Sequence, residues 1–171
     1  MKKLIPFLLA IVLISSCDIN TDPIELTATS TINEAIEVSI PQTNGSTVAF
    51  SETISQDLND LFTNFSDVTN ININSFSYEY KNVTGNTDAT IESATIVVNG
   101  TTIATLTDVN MAQEAAAGTV FTISDTATLD QIESLFLSNS SANIQFSGTA
   151  VSEAGAVNFD IELNINLTVT L

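Results

Sequence analysis

The last fifteen residues, Val157 to Leu171, fit only one secondary structure. Val157, Phe159, Ile161, Leu163, Ile165, Leu167, Val169 and Leu171 are apolar, and Asn158, Asp160, Glu162, Asn164, Asn166, Thr168 and Thr170 between them are polar. A period of two without an exception specifies a β-strand with one buried and one wet face. A helix would scatter these apolar groups around its whole circumference. At about 3.3 Å per residue the run spans roughly 50 Å, longer than an ordinary strand, so it is expected to bend or to pair with different neighbours along its length.

The rest of the chain supplies candidate partners. Ile32, Ile36, Val38 and Ile40 alternate with polar residues and are stopped by Pro41, the Gln42–Ser46 stretch with its Asn44-Gly45 reads as a turn, and Val48 to Phe50 forms a short strand. From Asn70 a strand changes phase: Ile71 and Ile73 face one way, Phe76, Tyr78 and Tyr80 the other, so a bulge near Asn74 and Ser75 is needed to keep all five on the core side. Gly85-Asn86 turns the chain. Ile91 to Val98, Asn99-Gly100 and Thr101 to Leu106 read as a hairpin, since Asn-Gly suits a two-residue type I′ turn. Val120–Ile123 and Ala142–Val151 are further strands. Met111 to Ala117 is a short helical turn stopped by Gly118.

Two segments carry helical spacing. Thr53-Ile54-Ser55-Gln56 resembles a capping box ahead of Leu58, Leu61, Phe62 and Phe65, and Thr128-Leu129-Asp130-Gln131 resembles one ahead of Ile132, Leu135 and Phe136. A strand follows each, which fits either an internal duplication or convergent patterning. The expected fold is therefore mainly β: an antiparallel β-sandwich of about seven or eight strands, with two short helices closing its ends or one face.

The amino terminus has a different character. Lys2 and Lys3 precede an apolar run from Leu4 to Ile14, and Ser15 and Ser16 precede Cys17. Charge, apolar length and small residues together make a secretory signal, too short for a permanent membrane span. Ile14-Ser15-Ser16-Cys17 resembles the lipobox of bacterial lipoproteins. The resemblance implies cleavage before Cys17, a thioether-linked diacylglycerol on its sulfur and membrane attachment through it. Several acyl chains anchor stably where one would be marginal. The expected division is a signal peptide over 1–16, lipidated cysteine and tether over 17–30, and a single β-rich domain over 31–171. Asp18 favours inner-membrane retention in enterobacteria, but the Arg-free, Asn/Thr/Ile-rich composition resembles Bacteroidota proteins, where sorting differs. The expectation is thus a cell-envelope protein held at the outer membrane. Asp125-Thr126-Ala127 resembles the O-glycosylation motif of that group.

Composition narrows the chemistry. The chain has three basic residues, Lys2, Lys3 and Lys81, against 20 acids and no His, for a net charge of −17. Loss of residues 1–16, which hold two lysines and no acid, takes it to about −19. Such a chain has no cations with which to displace the counterions of nucleic acid, so nucleic acid is excluded as a partner. Without His, and with Cys17 the one cysteine, there is no Ser-His or Cys-His nucleophile, no usual zinc or haem ligation and no disulfide. Lys81 at a strand end beside Glu79 reads as a solvated charge. What remains is the polar stripe Asn158, Asp160, Glu162 and Asn164. Its hard oxygen ligands suit calcium or a glycan, while its bland reading is the wet side of a half-buried strand. The sequence points to a non-enzymatic binding or scaffolding module without a cofactor, its ligand a protein, a glycan or calcium. Two alternatives are a pilus or adhesin subunit that exchanges its carboxy-terminal strand and a glycan hydrolase acting through Asp160 and Glu162, about 7 Å apart along the strand.

Overall fold

The alternating carboxy-terminal run is strand β8 (Val157–Thr170), in the interior of a sheet. Its seven apolar residues from Val157 to Val169 are at most 2% exposed. The structure is a computed structural model that describes residues 25–62 and 65–171. β8 pairs antiparallel along its full length with β1 (Thr27–Ile40) on one side and with β3 (Asn70–Gly85) on the other. Two long neighbours flank it, so it does not pass from one partner to the next. β6 (Val120–Ile123) completes a first sheet in the order β1-β8-β3-β6. The second sheet is β2-β7-β4-β5, formed by Val48–Asp57, Ser141–Val151, Thr90–Val98 and Thr101–Asn110. All pairings are antiparallel. The core lies between the two sheets, which makes the fold an antiparallel β-sandwich, as expected, with eight strands where about seven or eight were read.

Every connection crosses between the sheets except the β4–β5 hairpin. There Asn99 and Gly100 both have positive φ, 47° and 87°, the backbone a type I′ turn requires. The phase change in β3 is resolved as expected. The register shifts between Ile73 and Ser75, and Ile71, Ile73, Phe76, Tyr78 and Tyr80 all enter the core.

Helices α1 (Met111–Ala117) and α2 (Thr126–Asn139) pack against β3 and β5 and close the flank between the sheets on that side. β6 covers only Phe76 to Glu79 of β3. The exposed ladder below it is served by α2, whose Glu133 Oε1 accepts the backbone N–H of Ile73 at 2.6 Å. Asn110 and Asp125 cap α1 and α2, and Gly118 ends α1 in the left-handed region as expected.

Two expectations are corrected, and one open alternative loses its basis. The segment opening at Thr53 is not a helix. Residues 48–57 are β2, paired throughout with β7, and only Leu58–Asp60 and Phe65–Asp67 form single 3-10 turns. β-Branched Thr53 and Ile54 suit the strand, Ile54 opposite Ile144, and Asp57 rather than Thr53 supplies the cap by accepting from Asn59 N–H at 2.9 Å. Leu58, Phe62 and Phe65 are nevertheless buried, as apolar spacing requires. Without that helix the resemblance between the two segments is not a duplication of a helix–strand unit. Finally, order begins earlier than a tether ending at residue 30 implies, because Thr27 already pairs with Thr170. Cys17 and residues 18–24 lie outside the described residues.

Candidate functional site

Antiparallel register places the outward residues of sheet one in rows. At one level Ala35, Glu162, Glu79 and Val120 line up across β1, β8, β3 and β6, and the next level holds Asn33, Asn164, Ser77 and Thr122. Apart from Thr122, these residues line a hollow of about 290 Å³ that also takes in Glu34. Val120, 57% exposed, supplies an apolar wall. A second hollow of about 360 Å³ lies further along the strand and contains Asn158, Asp160, Glu37, Ser39, Glu52 and Asn82. The stripe read from the sequence is therefore one face but two sites: Glu162 and Asn164 in the first, Asn158 and Asp160 in the second.

The two carboxylates differ in their partners. Asp160 Oδ2 accepts from Asn82 Nδ2 at 2.6 Å, and Asn82 can reach it because a register irregularity between Lys81 and Thr84 places it at φ 52°. Glu162 stands opposite Glu79, a like-charge pair. Lys81 Nζ lies 2.6 Å from Glu79 Oε2, which raises the lysine pKa above its ordinary value, chiefly through that hydrogen bond. Lys81 is thus the solvated partner of Glu79 that its sequence position implied.

Towards the end where β8 finishes, the face carries no charge and its side chains bond one another. Asn164 Nδ2 donates to Asn33 Oδ1 at 2.6 Å, Asn166 Nδ2 to Thr31 Oγ1 at 3.0 Å, and Asn74 Nδ2 to Asn166 Oδ1 at 2.7 Å. Thr29 and Thr168 hydroxyls are 3.0 Å apart. Among the described residues no three acidic, His or Cys side chains converge as a metal site would require, and no helix is long and apolar enough to cross a membrane.

Asn33 and Ser77, which also line the first hollow, were not singled out in the sequence, and Glu79 was read only as the neighbour of Lys81. The outward phase of β1 and β3 was readable there, but which residues oppose Glu162 depends on strand order, which local pattern does not encode. No protein-family model, curated protein or solved structure matches the chain.

Proposed function

We propose that this is a lipid-anchored cell-envelope protein, attached through Cys17, whose β-sandwich is a non-enzymatic module that binds or scaffolds through the outer face of sheet one. The observation that carries the binding half is the shaped polar face. β1, β8 and β3 put their apolar residues into the core and leave on the other side a continuous amide, hydroxyl and carboxylate surface with two hollows. The anchoring half rests on the lipobox resemblance.

The same geometry weighs against the two alternatives. Strand exchange through β8 would require breaking ladders on both of its sides. Asp160 and Glu162 open into separate hollows rather than flanking one site where a glycosidic bond could lie.

The test of the anchor is expression of the full chain in a bacterial host fed an alkyne fatty acid. The wild type should take up the label and float with membranes, and Cys17→Ser should lose both. Equal labelling and flotation of the two would refute it. For the face, a glycan and envelope-protein array probed with wild type and with Glu162→Gln/Asn164→Ala should show a signal that the variant loses. A signal unchanged in the variant would place binding elsewhere.

A further inference from the structure

Charge is distributed unevenly along sheet one. Its strands carry six charged side chains, Glu34, Glu37, Glu79, Lys81, Asp160 and Glu162, all in the half towards the β7–β8 connection. The other half, Thr27 to Asn33 with Asn70 to Tyr78 and Leu163 to Leu171, has none, although the chain has a net charge of −17. At the foot of this half two leucines stand in the open: Leu26 is 63% and Leu171 39% exposed. They are neighbours, since Leu171 N–H donates to the Leu26 carbonyl at 2.9 Å. Among the described residues, the carboxylates near this end belong to other elements: Glu25 and Asp67 flank the corner, Glu133 on α2 reaches the Ile73 N–H at the β3 edge, and Asp57 and Asp60 lie at the foot of β2.

This foot is also where the chain leaves towards Cys17. Eight residues, or nine Cα–Cα steps, separate Cys17 from Leu26, at most about 32 Å of extended chain. A domain held so close must present some surface to the membrane. Bilayers with anionic lipids repel acidic surfaces within about a Debye length, whereas exposed apolar side chains gain by entering the interfacial layer. Neutral amides and hydroxyls can hydrogen-bond to head groups without that repulsion.

We propose that the uncharged foot of sheet one, with Leu26 and Leu171 at its tip, is the surface on which the domain rests against the bilayer. The inference depends on the anchor reading above. The domain tilts so that the Thr27–Thr31 end of sheet one meets the lipid, the feet of β2 and its aspartates stand clear, and the second hollow, at the other end of the face, lies farthest from the membrane.

The experiment uses the full, acylated chain in phosphatidylcholine vesicles that contain nitroxide-headgroup lipid. With Cys17 blocked by its thioether, an introduced thiol can be labelled alone with an environment-sensitive fluorophore, at Thr29→Cys or at Glu37→Cys. Both sites are exposed on the outward face of β1, about 26 Å apart. Quenching at position 29 should exceed that at position 37 by at least about threefold. Equal or reversed quenching on a chain whose intact mass shows the acyl groups overturns the orientation and leaves the anchor standing. A mass showing unmodified Cys17 overturns both.

Discussion

Tyr80 lies edge-on to Phe121 and tilted against Phe159, with ring centroids 6.0 and 5.9 Å away, and its buried hydroxyl has no hydrogen-bond partner within the described protein. Burial pushes its pKa well above the ordinary phenol value, and burial raises that of Tyr78 as well. These are the chain's two tyrosines. The native state therefore holds protons that the unfolded state releases above about pH 10, so stability falls as pH rises past that point. In an alkaline titration the phenolate absorbance should appear only together with loss of the β-sheet signal; a phenolate step in folded protein would contradict this burial. Because an unpartnered hydroxyl gains nothing from its site, Tyr80→Phe should leave stability equal or up to about 1 kcal/mol higher in urea unfolding. Asp125 shows the opposite sign. Hydrogen bonds from the Thr128 hydroxyl and N–H hold its carboxyl below the usual range. Its contribution is present above the unfolded pKa and is lost as pH falls through the folded value. Asp125→Ala should thus melt a few degrees lower than wild type at pH 7, with the gap closing in acid; a gap independent of pH would rule out the charged cap.

Strands β4 and β7 meet at Gly148, where an added Cβ would stand 2.2 Å from Ser93 O and 2.6 Å from Ala94 Cα. Those are backbone atoms of the adjoining strand, so the clash cannot be relieved by a side chain turning away. Gly148→Ala should destabilise by about 1–3 kcal/mol in urea unfolding, more if β4 separates; a neutral result would mean that the strands do not approach so closely. Gly148 also shows where sequence reading stops, because it lies in a strand with a clear pattern and nothing local marks it as a contact. The alternation in β8, the phase change in β3 and the Asn99-Gly100 turn were legible because each is set by neighbours within a few residues. β2 was misread because Leu58, Leu61, Phe62 and Phe65 keep helical spacing across a junction, where a strand ends and 3-10 turns begin. Asp57 and Asp125, as caps, were better boundary marks than Thr53 and Thr128. Of the first hollow only the β8 share was legible, as Glu162 and Asn164. The rest comes from β1 and β3, more than 80 residues away in sequence, and from Val120 on β6, through pairing alone.

Across the whole molecule, the described residues hold one base, Lys81, and it is bound to Glu79. Repulsion among the carboxylates therefore opposes the folded state with little attraction to offset it, and core burial carries the stability without a disulfide. The flank where β1 and β2 approach shows one use of this acidity. Glu34 and Glu52 fall in the core-facing phase of these edge strands, opposite Leu163 and Phe146, and a charge there disfavours edge-to-edge pairing with another chain. Raising sodium chloride from about 0.01 to 1 M shortens the Debye length from roughly 30 to 3 Å. If repulsion dominates, the melting temperature should rise by several degrees over that range, most of it below about 0.2 M, where screening changes fastest. Glu162→Gln should reproduce only a small part of that gain in low salt, because it removes one member of the Glu79–Glu162 opposition, a like-charge pair worth at most about 1 kcal/mol, together with an attraction to Lys81. In 1 M salt the variant and the wild type should converge. A melting temperature that falls with salt would show instead that attractive pairs outweigh repulsion. Glu79 and Glu162 both line the first hollow, so on the proposed binding reading this opposition trades stability for a surface that can receive a partner.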